Sequence, residues 1–451
     1  MDTTTRRLVD YAMGANFANL PSEVVHECKR RLIDSFASAV GAYHEPLCQA
    51  ARTVAQRYSG GKPTASVWGC KWQTTPDAAA FANGVMLRFL DINDLFRVKS
   101  GGHPSDVIPG ILAVGEAVHA DGASVMNAIV LAYDIYCGFC EMIDINEKGW
   151  DQPVYGVLAC VIGASKLLDL SEEQMGNAIA LALAPNMALA QVRHGELSAW
   201  KGCAGANASR NAVFAAFLAR DGISGPTQIF EGKGGLWDIV GRFDWQLRAD
   251  LPHRVTATHM RCFPICSHAQ SAVWAALELR SRLRPQDIRE IQIETYKRSF
   301  EMLGNDPSRW APTNRETADH SLPYVVAIAL LDGEITPRSF SETRLFDQTV
   351  SSLMNKVKVQ ENPQFSSQYP ESAYSRLRVR MLSGEEIKAE VRYPKGHIRN
   401  QIDDPTLEAK FRSMFVGFAD ELHCEKALHE LWNFEDITDV EHVSRLFYAS
   451  A

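Results

Sequence analysis

Two short stretches of this chain gather the residue types that move protons. Asp91-Ile92-Asn93-Asp94 is followed shortly by Gly101-Gly102-His103-Pro104-Ser105-Asp106. Carboxylates and an imidazole held on one short loop can abstract a proton and return it. The paired glycines permit close backbone approach, and the N–H groups at the start of the next helix favour a carboxylate or phosphate. The same residues also fit a polar helix–loop–helix connection, with Ser105 or Asp106 as the cap. The second stretch is Arg193-His194-Gly195-Glu196-Leu197-Ser198-Ala199-Trp200-Lys201. Lys201 stands at the entry to an Ala-rich helix over Gly202 to Ala219, where a lysine against apolar surface can anchor a carboxylate or serve as a base. A solvated lysine is the ordinary alternative. Further on, Arg261 to His268 and Asp319 to Tyr324 both open helices, and His268 or Tyr324 can face a pocket.

The elements that must position these groups are mostly helical up to about residue 260. Glu23 to Ala42 carries apolar residues at Val24, Val25, Cys28, Leu32, Ile33 and Phe36, the spacing of one helix face, with Ser22 as cap. Asp77 to Leu90, Asp106 to His119, Ser124 to Ile145, Val154 to Leu167 and Glu172 to Leu183 repeat the pattern. Ser171 with acid in the next two positions is a helix start signal. Ala and Gly at this density let helices approach closely. Past Pro252 the pattern changes. Ile288 to Tyr296 alternates apolar and polar, and Arg376–Met381 with Glu386–Tyr393 forms a hairpin around Ser383-Gly384. Helices are expected over His268 to Leu283, Asp319 to Leu331 and Phe346 to Lys358, then again from Pro405 to Tyr448. The expected fold is mainly α, with a smaller α+β domain. Residues 1–260 and 400–451 form a discontinuous helical domain, and 261–399 the α+β domain.

The chain has 451 residues, 54 of them acidic and 46 basic, for a formal charge of −8. That balance gives no general basic face for nucleic acid. No stretch reads as a membrane span; Ile179 to Ala190 is too short and is broken by Pro185 and Asn186. Arg6 and Arg7 are followed by no apolar signal core, so a cytoplasmic location is expected. Ten cysteines are too few for a disulfide scaffold, and Cys137-x-x-Cys140 lies in an apolar run with no second pair at zinc spacing. Cys203, Cys262 and Cys266 are only formal partners for an iron–sulfur cluster. No phosphate-binding glycine motif stands between a strand and a helix. No metal and no cofactor are expected.

With these segments in place, the chain resembles the MmgE/PrpD family over nearly its full length. The matching residues are Asp91-Ile92-Asn93-Asp94, Gly102-His103-Pro104-Ser105 and Glu196-Leu197-Ser198-Ala199-Trp200-Lys201. Phe263-Pro264, His320-Ser321-Leu322-Pro323-Tyr324 and Tyr393-Pro394-Lys395-Gly396-His397 complete the set, in order. The family includes 2-methylcitrate dehydratase, cis-aconitate decarboxylase and iminodisuccinate epimerase. The resemblance implies a large helical domain with a smaller α+β lid, a cleft between them as active site, a homodimer, and no metal requirement. It implies Asp91, His103, Lys201 and Tyr324 as catalytic residues. Asn93, Asp94, Gln152, Arg193, Cys266 and His268 are the expected substrate-binding set.

The sequence departs from the decarboxylase branch at Leu95, where that branch has threonine. Gln152 replaces a histidine common in the family's motif around Gly149-Trp150-Asp151, and Cys266 stands where the decarboxylase has a histidine, although His268 lies half a helical turn beyond it. These changes remove ionisable groups. The expected reaction is proton abstraction beside a carboxylate of a small di- or tricarboxylate, leading to loss of water. An epimerase or racemase of an amino or imino dicarboxylate is the alternative. A decarboxylase and a non-catalytic binding protein rank lower.

Overall fold

The architecture is taken from a computed structural model, which describes residues 1–98, 100–243, 247 and 251–449. It is mainly helical with one four-stranded sheet, and it divides into two units. The first comprises 1–192, 202–258 and 403–451; the second comprises 193–201 and 259–402. The segment from Arg193 to Lys201 therefore belongs with the second unit, whereas the sequence places it in the first.

The first unit is built from helices with wide apolar faces. The principal ones are Ser22–Gly41, Pro76–Phe89, Ile108–Ala117, Gly122–Met142, Pro153–Leu167, Glu172–Leu183 and, from Gly202 on, Trp200–Arg220. Small residues set the spacing. A Cβ added at Gly84 would lie 2.8 Å from Ala206 Cβ, so the helices Pro76–Phe89 and Trp200–Arg220 nearly touch backbones there. Ser171 and Gln174 form a reciprocal capping box on Glu172–Leu183, satisfying two orphan N–H groups at that end. Ser22, expected as a cap, is instead the first helical residue after Pro21. Gly122–Met142 is long and apolar enough to cross a bilayer, contrary to the sequence reading. It is nearly all buried within the fold and carries Asp134, which receives hydrogen bonds from Tyr11 and the Arg254 N–H. A central core helix passes the same length and composition test as a membrane span.

The C-terminal segment joins this unit. Phe447 stacks on Phe36 with ring centroids 4.0 Å apart, and Ser444 Oγ donates to Glu116 Oε1 at 2.5 Å. Glu116, fully buried, also accepts from the Ser66 N–H at 2.8 Å. Burial pushes its carboxyl up to about 7, against the lowering effect of these two hydrogen bonds.

In the second unit, strand Ile288–Thr295 pairs in parallel with Val357–Glu361 and antiparallel with Ser375–Met381, which pairs on with Glu386–Val391. Register places Ile291, Val379 and Ile387 side by side, and likewise Ile293, Leu377 and Ala389. This apolar face packs in one core with helices Gln270–Arg280 and Leu322–Asp332. On the other face, Arg376 is paired with Glu294 and Glu390. The sequence extends one helix through Lys358. The structure ends it at Met354 and turns Val357–Glu361 into the edge strand. Val357 and Val359 alternate with Lys358 and Gln360, which is the strand period.

Candidate active site

The first candidate cluster lies wholly in the first unit. Helix Pro76–Phe89 ends just before Asp91, whose backbone adopts φ +54°. A left-handed non-glycine residue costs of order 1–3 kcal/mol and persists where its surroundings over-determine it. The turn after it is anchored from several sides. Asn93 Nδ2 donates to Ser105 Oγ at 2.9 Å. Asp94 Oδ1 accepts from the Ser105 N–H at 3.0 Å, and its Oδ2 accepts from the Tyr133 hydroxyl at 2.9 Å. Burial raises the Asp94 carboxyl, and Arg31, Ser105 and Tyr133 act in the opposite sense. Asn93 and Asp94, expected to bind substrate, are both fully buried and tie this turn to the start of the next helix.

His103 is oriented by the same turn. Its Nδ1 lies 2.7 Å from the Asp94 carbonyl, which can only accept. Nδ1 therefore carries the hydrogen and Nε2 the lone pair. Arg88 reaches that lone pair with Nη2 at 2.9 Å, and its other terminal nitrogen donates to Asp91 Oδ1. One buried guanidinium thus joins the carboxylate and the imidazole singled out from the sequence. The His103 N–H donates to the Tyr136 hydroxyl at 3.0 Å. Gly102 makes this approach possible, since a Cβ there would sit 2.1 Å from the Tyr136 oxygen and 2.6 Å from Gln152 Oε1. Gln152 is buried against this loop, at the start of Pro153–Leu167.

The second cluster lies in the second unit. Lys201 Nζ is 3.1 and 3.2 Å from the two carboxylate oxygens of Asp319. Their side chains are 4% and 1% exposed. His320 Nδ1 is 2.5 Å from Asp319 Oδ1 and 3.2 Å from Lys201 Nζ. Burial works against a charged His320, yet Cys266 and Asp319 raise it above its ordinary value despite Lys201. A lysine and a histidine biased toward its charged form around one carboxylate give the cluster cationic character, suited to a substrate carboxylate. Cys266 is buried beside it, its N–H donating to the Asp319 carbonyl at 3.0 Å. Arg193 Nη1 donates to the Lys201 carbonyl at 3.4 Å.

Two expected residues fall elsewhere in the second unit. Tyr324, expected as a proton donor, is fully buried in the core, and its hydroxyl donates to the Ser339 carbonyl at 2.6 Å. Burial keeps that hydroxyl well above its ordinary value. Its geometry is that of a structural tyrosine holding two segments together. His268 Nδ1 is 2.6 Å from the Tyr296 hydroxyl, within an aromatic group that includes Tyr369. Cys137 and Cys140 are core residues whose thiols burial pushes well up.

The model of the MmgE/PrpD N-terminal domain matches residues 6–247, and that of the MmgE/PrpD C-terminal domain matches residues 263–434. The chain belongs to the MmgE/PrpD family. Among its relatives, 2-methylcitrate dehydratase of Salmonella typhimurium is 27% identical over 436 residues, covering 90% of this chain and 88% of that protein. The Escherichia coli K12 enzyme of the same name is 26% identical over 438 residues, with the same coverage. A mitochondrial 2-methylcitrate dehydratase of Yarrowia lipolytica is 28% identical over 387 residues, 80% of this chain and 74% of that protein.

Within this MmgE/PrpD chain, sequence reasoning overlooked Arg88, Asp319 and His320 as site residues. Arg88 stands three positions before Asp91 at a helix end, the spacing at which opposite charges meet. An acid next to a histidine before the Ser321-capped helix was the available signal for Asp319 and His320.

Proposed function

We propose that this protein is a hydro-lyase that removes water from a small tricarboxylate of the 2-methylcitrate kind. The observation that carries the reading is the Asp91–Arg88–His103 chain, a carboxylate and a tautomer-fixed imidazole held by one cation. Relatives named 2-methylcitrate dehydratase across most of the chain support it. A C–H beside a carboxylate is weakly acidic, so the charge that develops on proton loss needs cationic support. Lys201 with His320 supplies cationic character, and Asp91 and His103 form the proton-transfer pair. One member takes the proton from carbon. Its electron pair becomes the new C=C bond, the neighbouring C–O bond breaks, and the proton taken from carbon is passed on by the pair to release the hydroxyl as water.

No metal is required in this reading. Asp91 is already matched by Arg88 and Asp319 by Lys201, so side-chain cations neutralise the acids that would otherwise attract an ion. We also propose a homodimer, as the family resemblance implies. Purified protein incubated with 2-methylcitrate, citrate, cis-aconitate and iminodisuccinate, with and without chelator, tests the reading. Conversion of 2-methylcitrate to an alkene, unaffected by chelator, is expected. Inversion of iminodisuccinate with no alkene formed would replace the hydro-lyase with the epimerase, and release of carbon dioxide from cis-aconitate would replace it with the decarboxylase.

A further inference from the structure

The turn from Asp91 to Asp94 is held by the side chains of Asp91, Asn93 and Asp94, whereas Ile92 has only its backbone to offer. The Ile92 carbonyl accepts a hydrogen bond of 2.9 Å from Lys410 Nζ. Lys410 lies on helix Asp404–Phe415, 318 residues further along the chain. Its ammonium also pairs with Asp34 Oδ1 at 2.5 Å, from helix Ser22–Gly41. The two side chains are 8% and 1% exposed. Burying an ion pair carries a desolvation cost that packing alone rarely recovers, since apolar residues of similar volume often do as well. What this pair adds is a directed N–H aimed at one peptide plane. On the other side of Asp91, its own N–H donates to the Arg88 carbonyl at 3.2 Å. Asp91, at φ +54°, and Ile92 after it are thereby the two residues that span the anchored peptide planes 90–91 and 92–93.

We propose that Lys410 is a positioning residue for Asp91: braced by Asp34, its ammonium fixes the Ile92 carbonyl and keeps Asp91 in the left-handed conformation that presents its carboxylate to Arg88. The consequence for catalysis rests on the assignment of Asp91 to proton transfer. Misplacing a reacting group by about 1 Å from outside the site can cost roughly 10²-fold in rate. Lys410 makes that connection from the C-terminal segment, and no local motif around Asp91 contains it.

Lys410→Met alone leaves Asp34 buried without its cation, so the decisive variant is the charge-neutral pair Asp34→Asn with Lys410→Met. In its crystal structure, residue 91 should leave the left-handed region or its carboxylate should leave Arg88. Turnover of 2-methylcitrate should fall by roughly 10²-fold in kcat, with KM changed far less. Lys410→Arg, which keeps a donor and a charge, should restore most of kcat. Asp91 unmoved in the double variant overturns the proposal, whatever the rate. If wild-type protein leaves 2-methylcitrate untouched, the functional reading is what fails, and the crystallographic position of Asp91 still decides the positioning role. Asp91 displaced with kcat unchanged would remove Asp91 from the chemistry.

Discussion

Arg88 donates to His103 Nε2 at 2.9 Å with one terminal nitrogen and to the Asp91 carboxylate with the other. A guanidinium fork spans two acceptors in a way that an ammonium does not. Arg88→Lys should keep the charge but lose one of the two contacts, lowering kcat by roughly 10²-fold through misplacement of the pair. Arg88→Met should be far worse for folding, because it takes the guanidinium from buried Asp91, at about 3–5 kcal/mol. Steady-state kinetics and urea unfolding of the two variants separate these effects. Wild-type kcat in Arg88→Lys would show that the fork is not needed.

Lys201 and Asp319 are buried together, so their single and double variants should differ in kind. Lys201→Met should cost up to about 3–5 kcal/mol of stability by taking the lysine cation from buried Asp319, with His320 still beside it. Lys201→Met with Asp319→Asn should recover much of that stability and none of the activity. Thermal unfolding read beside turnover checks this. Recovered activity in the double variant would mean that Lys201 serves the fold alone.

Tyr324→Phe should leave kcat close to the wild-type value, since the hydroxyl is committed to the Ser339 carbonyl. Leaving that buried carbonyl without its donor should cost about 1–3 kcal/mol of stability. A large loss of kcat in a folded Tyr324→Phe protein would return this residue to the chemistry.

Glu116 should make stability fall as pH rises through neutrality. Its carboxyl is raised by burial to about 7 in the fold, from an ordinary value of 4.5. The native state therefore holds a proton that the unfolded chain has released. The contribution is fully present below 4.5 and is lost as pH rises through about 7. At 1.36 kcal/mol per pKa unit the effect is a few kcal/mol. Urea midpoints between pH 5 and 8 should show the decline in wild type and a flatter profile in Glu116→Gln, whose amide can still accept from Ser66 and donate to Ser444. Equal slopes in both would contradict this.

How much of this was legible in the sequence depended on distance along the chain. Asp91, Asn93, Asp94 and His103 were visible because one loop carries them, and His103 is oriented by the backbone of Asp94 itself. The strands 288–295 and 375–391 showed their period and turn, and the capping box at Ser171 was written in four residues. Edge strand Val357–Glu361 was hidden by a helical run directly before it. Tyr324 stood in the right motif, but which way its hydroxyl pointed depended on Ser339. Lys410 could not have been found, because nothing near Ile92 in sequence specifies which of 46 basic residues will reach it.

Proton transfer by Asp91 and His103 is tested most directly by proton NMR of 2-methylcitrate in deuterated water. Wild-type protein should convert the methyl doublet to the singlet of an alkene product. Asp91→Asn and His103→Ala, folded by circular dichroism, should each slow this by roughly 10²–10⁴-fold, or about 3–5 kcal/mol of barrier. Full turnover in either variant would contradict the assignment, whereas deuterium entering the substrate with no alkene formed would keep the proton transfer and contradict the hydro-lyase.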